Sequence, residues 1–235
     1  RRLPVNETRQ IAIAGRDVPL RIRTNASARR IILRIDTGTG GVVLTMPKWA
    51  AEKDAMELLA AREDWVAARL DALPAHIHFA DGAAVPLFDT PHIVRHAPER
   101  RGGVIKEDSE IRVPGRIEHL ARRLGDWLRG EARTEIAARA HPLAARIGKR
   151  IGRITVRDTS SRWGSCSAAG NLNFSWRLVM APDWIMDYVV AHEVAHLRHP
   201  NHGPNFWALV DELGVDATQA RRWLNANAQR LQRIG

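Results

Sequence analysis

One short segment carries the residues with the clearest chemistry: His192-Glu193-Val194-Ala195-His196. Two histidines four positions apart in a helix lie about 40° apart around the axis and about 6 Å along it, so both imidazoles can bind one ion. Glu193 follows the first histidine directly, where its carboxylate can face a metal-activated water without binding the metal. The spacing predicts a hydrolytic centre with Glu193 as general base and acid.

A third histidine completes the predicted ligand set. His202 comes six residues after His196, beyond a helix stop at Pro200 that can fold the chain back toward the metal. Three protein ligands and an open position for water are typical of catalytic zinc, whereas structural zinc sites fill the fourth position. We therefore expect Zn²⁺ bound by His192, His196 and His202.

Three other residues compete for places in this site. His199 lies on the same helical face as the first two histidines but further along the axis, and Glu212 belongs to a later helix. Cys166, the single cysteine, could close a fourth position and make the site structural. Because His199 lies further along the helix axis, its side chain would reach the ion less easily, which favours His202 as third ligand. Glu212 is expected to face solvent.

Apolar periodicity predicts an α+β fold around this segment. Four strands are expected in the first fifty residues, then a helix over 50–73 and further strands near 84–96 and 104–113. A helix from Arg116 should bend or stop before Pro142. We expect a β-rich N-terminal region with one helix over 1–115 and the hydrolase domain over 116–235.

The last third of the chain should present an extended strand beside the histidine helix. The run NLNFSWRL alternates apolar and polar residues over 171–178, as a half-buried strand does. An edge strand there could hold a substrate in extended form, with Asn173 and Arg177 on its polar face as substrate-binding residues. Tyr188 either polarises a substrate oxygen or packs in the core.

Composition limits the protein class. The chain has 235 residues, a formal net charge of +10 and 45% hydrophobic residues, which is typical of a globular protein. No apolar run approaches the roughly 18 residues of a membrane span. One cysteine and no apolar leader suggest a cytoplasmic protein. Residues 1–150 contain 27 basic and 19 acidic residues. This excess of positive charge is compatible with an anionic partner such as a nucleotide or nucleic acid.

The segment WGSCSAAGNLNFSWRLVMAPDWIMDYVVAHEVAHLRHPNHGPNFWALV resembles the YgjP-like metallopeptidase-domain family, which is related to the SprT-like zincins. The shared pattern is WGSCS, a strand ending in WRL, HExxH and an NHGPxFW-like segment. The resemblance implies a zincin-like fold, zinc held by His192, His196 and His202, and Glu193 as catalytic acid and base.

Three functions are compatible with these features. The first is hydrolysis of peptide bonds in a peptide or protein substrate. The second keeps the same centre but acts on a non-peptide substrate such as a nucleotide phosphoanhydride, since a metal site does not decide the substrate. The third is a DNA-associated protease, which the SprT-like kinship implies.

Overall fold

The computed structural model describes residues 8–235 and confirms a mixed α+β fold, with three small sheets and six α-helices in the described part of the chain. The chain divides into two compact units, one comprising the residues up to Ala75 and the other His76–Gly235. No helix within the described residues is long and apolar enough to cross a membrane.

The first unit is a four-stranded sheet with two short helices. Its strands lie in the order β1-β2-β4-β3, and only β2 and β4 pair in parallel. Apolar side chains from the sheet and from both helices form its core, which includes Leu20, Leu44, Leu59 and Val66. The elements are β1 (Thr8–Ile13), β2 (Arg16–Thr24), β3 (Ile32–Asp36), β4 (Gly41–Met46), α1 (Glu52–Ala60) and α2 (Glu63–Asp71).

Two helices replace the single helix predicted over 50–73. The chain leaves the helical path at Arg62, whose backbone φ of -121° and ψ of 16° lie outside the helical range. Glu63 and Asp64 then begin α2, where acidic side chains favour a helix amino terminus. The apolar periodicity of the sequence continues across this break, because both helices bury apolar residues. Periodicity alone therefore predicted one helix.

The second unit contains the remaining two sheets and four helices. One sheet has the order β5-β6-β8-β7 and the other has the order β10-β11-β9. Its elements are β5 (Ala84–Leu87), β6 (Thr90–His96), β7 (Ile105–Glu107), β8 (Glu110–Val113), α3 (Leu120–Arg146), β9 (Ile154–Arg157), β10 (Gly164–Cys166), β11 (Leu172–Ser175), α4 (Asp183–Ala195), α5 (Pro204–Glu212) and α6 (Ala217–Gln232).

The boundary between the units lies at residues 75 and 76, whereas the sequence predicted a division at 115 and 116. Val94 and Ile111, from strands assigned to the N-terminal region, lie in one continuous core with Leu124 of α3. Contacts between residues that are far apart in the sequence decide which strands belong to which unit. Local composition carries no information about these contacts.

The long helix α3 also differs from its prediction. It continues through Pro142 to Arg146 instead of stopping before the proline. Ala140 and Ala144 on either side of Pro142 are buried, so core packing holds both halves of the helix in place despite the lost hydrogen bond.

The small sheet beside α4 corrects the expected position of the edge strand. β11 is the central strand, parallel to β9 and antiparallel to β10, so β10 forms an edge. The predicted strand over 171–178 ends at Ser175, and Trp176–Met180 form a short 3-10 helix. The Ser175 hydroxyl accepts a hydrogen bond from the Arg177 amide, which starts this turn.

Helix α4 is buried along most of its length, and one arginine connects it to α3. The Arg139 guanidinium pairs with Asp187 at 2.8 Å, with Asp183 at 2.7 Å and with Glu135 on its own helix. Its side chain is only 20% exposed. Because Asp183 begins α4, this ion-pair group fixes the start of the histidine-bearing helix against α3.

We expect Arg139→Met to lower the free energy of unfolding by about 1–3 kcal/mol, because charged hydrogen bonds are lost while the aliphatic stem is kept. The matched control is Arg133→Met, an exposed position on the same helix, which should stay within about 0.5 kcal/mol of wild type. Urea denaturation followed by circular dichroism measures both. Equal stabilities of the two variants would contradict the assigned role of Arg139.

Candidate metal centre

Three imidazoles converge beside α4. His192 lies in its last turn, His196 directly follows the helix, and His202 returns from the loop before α5. One ligand atom from each histidine lies within 4.8 Å of the others, and the Nε2 atoms of His192 and His202 are 3.1 Å apart. A tetrahedral zinc site with bonds of about 2.0–2.1 Å spaces its donor atoms roughly 3.4 Å apart, which is close to the 3.1 Å between these two nitrogens. The three side chains therefore fit a single metal ion.

Hydrogen bonds at the outer nitrogens orient two of these rings. His196 Nδ1 lies 3.1 Å from the His199 carbonyl oxygen, and His192 Nδ1 lies 3.5 Å from the Tyr188 hydroxyl. A proton on Nδ1 donates to these oxygens and leaves the Nε2 lone pair for a metal, which is the usual outer-shell arrangement of metal-binding histidines.

Aromatic side chains at the start of α5 support the cluster. The Phe206 ring centroid lies 4.9 Å from His192, 4.5 Å from His196 and 4.7 Å from His202. Trp207 stacks on His202 at 5.6 Å with an interplanar angle of 24°. The sequence did not predict the contact of Phe206 with all three imidazoles or that of Trp207 with His192 and His202, because both depend on the loop that precedes α5.

Burial also sets the protonation of the histidines. Desolvation, together with smaller effects of the neighbouring His196 and His202, lowers the pKa of His192 to about 4. Desolvation likewise lowers the pKa of His196, against the opposing effect of its hydrogen bond to the His199 carbonyl. Both imidazoles are therefore neutral near pH 7, which is the form that binds metal.

Glu193 lies next to this cluster in a confined position. The residue is 6% exposed, and burial raises the pKa of its carboxyl to about 7, although the charge of Arg162 opposes the rise. A Cβ built on Gly164 would lie 2.6 Å from both Cγ and Oε1 of Glu193. Only glycine lets β10 approach so closely, which gives the glycine of the WGSCS motif a physical reason that the sequence did not reveal.

Two cavities open on either side of Gly164, His192 and Glu193. The smaller, of about 270 Å³, is also lined by Trp163, Tyr188, Val189, Arg221, Leu224 and Asn225. The larger, of about 720 Å³, runs along β10 and the loop to Gly170, and its lining includes Lys149, Arg150, His196 and His202. The α6 residues and the two cations at 149 and 150 carried no motif, so sequence reasoning missed them.

The other residues considered as ligands lie outside the histidine cluster. His199 contributes its carbonyl oxygen to His196, and its ring is not one of the three converging donors. Glu212 is exposed, and its carbonyl accepts a hydrogen bond from Arg146. Cys166 lies near Glu193; burial raises the pKa of its thiol, and the charge of Glu193 adds to this rise. The cluster found within residues 8–235 is thus made of histidines alone.

The two residues predicted to bind substrate lie in the central strand of the small sheet and in the 3-10 helix that follows it. Asn173 is central in β11, paired with Thr155 and Ser165. Neither Asn173 nor Arg177 lines the two cavities beside the histidines. Substrate contact by this pair stays a prediction.

Arg177 has extensive contacts of its own. Its guanidinium pairs with Asp158 at 3.2 Å, donates to the Leu231 and Ile234 carbonyls and lies 4.6 Å from the Trp176 ring centroid. These contacts connect the 3-10 helix to the end of α6 and explain why the Arg177 side chain is buried.

A comparison with protein families identifies one that matches this chain. The family model described as "YgjP-like, metallopeptidase domain" matches residues 29–227. A comparison with curated protein sequences found no significant match. Among solved structures, the metallopeptidase zymogen abylysin of Pyrococcus abyssi is similar at 19% identity and a TM-score of 0.36, with 42% of this chain and 97% of that chain covered. The family match covers most of the sequence, and the chain therefore belongs to the YgjP-like family of metallopeptidase domains.

Proposed function

We propose that this protein is a zinc-dependent peptidase in which Glu193 acts as general base and acid. One observation carries the proposal: three imidazole donors converge next to a buried carboxylate that does not belong to the donor set. Membership of a metallopeptidase family supports a metal-dependent hydrolase. The all-histidine donor set favours zinc, because imidazole is a preferred zinc ligand and three protein ligands leave a position open.

Each residue has a defined task in this mechanism. A bound zinc ion would polarise the scissile carbonyl and make a water molecule more acidic. Glu193 would accept the proton of the attacking water on its carboxylate and deliver it to the leaving amine. Its raised pKa, near 7, suits a group that must both take and return a proton.

The edge strand β10 offers a binding surface for an extended peptide. The Ser175 amide donates to the Trp163 carbonyl and the Ser167 amide donates to the Asn171 carbonyl. By the alternation of an antiparallel ladder, the backbone N–H and C=O groups of Gly164 and Cys166 point away from β11. A substrate strand paired with this edge would run beside Gly164, whose α-carbon faces the Glu193 side chain.

A second substrate class is favoured by charge. Lys149 and Arg150 line the larger cavity, and neither forms an ion pair with any of residues 8–235. Unpaired cations next to a hydrolytic centre favour an anionic substrate, so hydrolysis of a nucleotide phosphoanhydride is the second candidate. Association with DNA stays a prediction from the sequence alone.

Loss of the third ligand should release the metal. We expect His202→Ala to retain less than about a tenth of the wild-type zinc after dialysis, because two imidazoles cannot hold the ion against buffer. His199→Ala should keep its zinc, since the His199 carbonyl and not its ring contacts the cluster. Mass spectrometric metal analysis measures both. Full zinc content in the His202 variant would exclude this ligand set.

Replacing the carboxylate should separate chemistry from metal binding. Glu193→Gln should lower turnover by about 10²–10⁴-fold, the usual loss for a general base, while zinc stays bound. The assay uses zinc-loaded protein with unfolded proteins, peptides and nucleoside triphosphates. The exposed Glu212→Gln serves as control. Hydrolysis of triphosphates alone, lost in the Glu193 variant, would establish the second candidate, and wild-type turnover in that variant would refute the mechanism.

A methyl group at Gly164 should displace Glu193. Gly164→Ala places a carbon 2.6 Å from the Glu193 side chain, and a shift of about 1 Å in a catalytic group costs roughly 10²-fold in rate. Zinc content should not change, because the atoms nearest to the new carbon belong to Glu193 and not to a histidine. Gly130→Ala, with no atom within 4 Å of its new carbon, is the matched control. Unchanged turnover in the Gly164 variant would show that this contact does not position Glu193.

A further inference from the structure

Helix α6 contributes one face to the smaller cavity beside Glu193. Arg221, Leu224 and Asn225 are spaced three and four residues apart, so they lie on adjacent turns of the same side of the helix. Across the cavity are Tyr188 and Glu193 on α4. The cavity is therefore apolar in part but carries several polar groups, of which one is a full positive charge.

Arg221 has no acidic partner. In the part of the chain that the structure describes, no carboxylate pairs with its guanidinium, whereas Arg139, Arg177 and Arg230 each pair with an aspartate. Its recorded contact is with the Trp207 ring, whose centroid lies 5.6 Å from the guanidinium carbon. An arginine at a cavity wall with no internal counterion is available to an anion from solution.

Aromatic stacking fixes this cation near the metal cluster. Trp207 contacts both, since its ring also lies 5.6 Å from that of His202 and 5.9 Å from that of His192. The electrostatic effect of Arg221 on Tyr188 agrees with this position near the histidines. Burial raises the pKa of Tyr188, and the charge of Arg221 opposes that rise. The positive charge thus acts within the same small space as the catalytic groups.

We propose that Arg221 forms an anion-binding subsite in this cavity, together with the Asn225 amide and the Tyr188 hydroxyl, for a carboxylate or phosphate group next to the scissile bond of the substrate. This inference rests on the proposed hydrolase function and names its substrate class. A guanidinium donates two parallel hydrogen bonds to either anion, and amide and hydroxyl groups add further donors. An acidic peptide and a nucleotide would both supply the required group.

The test measures binding without turnover. Zinc-loaded Glu193→Gln protein is titrated by calorimetry at about 0.15 M salt, where charges on the open surface are largely screened. The probes are a terminally capped peptide with one glutamate next to the scissile position, its glutamine counterpart, the glutamine peptide with a free carboxyl terminus, and adenosine triphosphate. A second peptide pair moves the glutamate to the other side of the scissile position.

We expect at least one anionic probe to bind about tenfold or more tightly than the neutral peptide, because a charged bidentate pair replaces a neutral contact. Adding Arg221→Gln should bring this ratio close to one. Adding Arg222→Gln, which removes the same charge from an adjacent exposed position outside the cavity, should leave the ratio unchanged. Zinc content and circular dichroism establish that each variant is folded.

The outcomes identify the source of the anion or overturn the subsite. If only the glutamate peptide binds more tightly in a way that depends on Arg221, the anion is an acidic side chain. If only the peptide with the free carboxyl terminus does so, the anion is a main-chain carboxylate. If only adenosine triphosphate does so, the ligand is a nucleotide. Failure of every anionic probe to bind more tightly than the neutral peptide overturns the proposal, as does a ratio that survives Arg221→Gln. Absence of hydrolysis by the wild-type protein would instead refute the peptidase function, since the binding ratio requires no turnover.

Discussion

Helix α4 carries the polar side chains proposed for catalysis into an otherwise apolar core, and the elements around it must accommodate them. α4 is surrounded by core residues, yet it presents His192 and Glu193 at its buried end and leads directly into His196. Polar groups lose hydration when buried and need compensating partners. The Tyr188 hydroxyl and the His199 carbonyl supply two of these partners, and convergence of the imidazoles allows a metal to supply the third.

Neighbouring elements keep this segment in one geometry. Arg139 fixes the start of α4 against α3, β10 covers Glu193 through Gly164, and Phe206 contacts all three imidazole rings. The side chains proposed for catalysis are therefore held by rigid elements, while two cavities beside them remain open. In the proposed function α4 supplies the catalytic groups, and residues of β10 and α6 contribute to the walls of these cavities.

The local pattern of the sequence was sufficient to predict the metal cluster but not its surroundings. His192, Glu193 and His196 are set by helical spacing, and Pro200 allowed the return of His202 to be anticipated. The strand predicted over 171–178 ends at Ser175, because the Ser175 hydroxyl accepts a hydrogen bond from the Arg177 amide and starts a 3-10 turn. The alternation of apolar and polar residues gives no signal for this turn. Arg221 comes 19 to 29 residues after the three histidines in the sequence, and only tertiary packing brings it to the cavity.

The proposed function depends on a three-histidine zinc centre with an open coordination position. X-ray absorption spectroscopy at the zinc edge of the metal-loaded protein tests this centre directly, because imidazole rings and sulfur ligands give distinct signals. We expect three imidazole nitrogens at about 2.0 Å and one additional light atom, with no sulfur. A sulfur neighbour at about 2.3 Å would place Cys166 on the metal, and fewer than three imidazoles would remove His202; either result would contradict the catalytic centre described above.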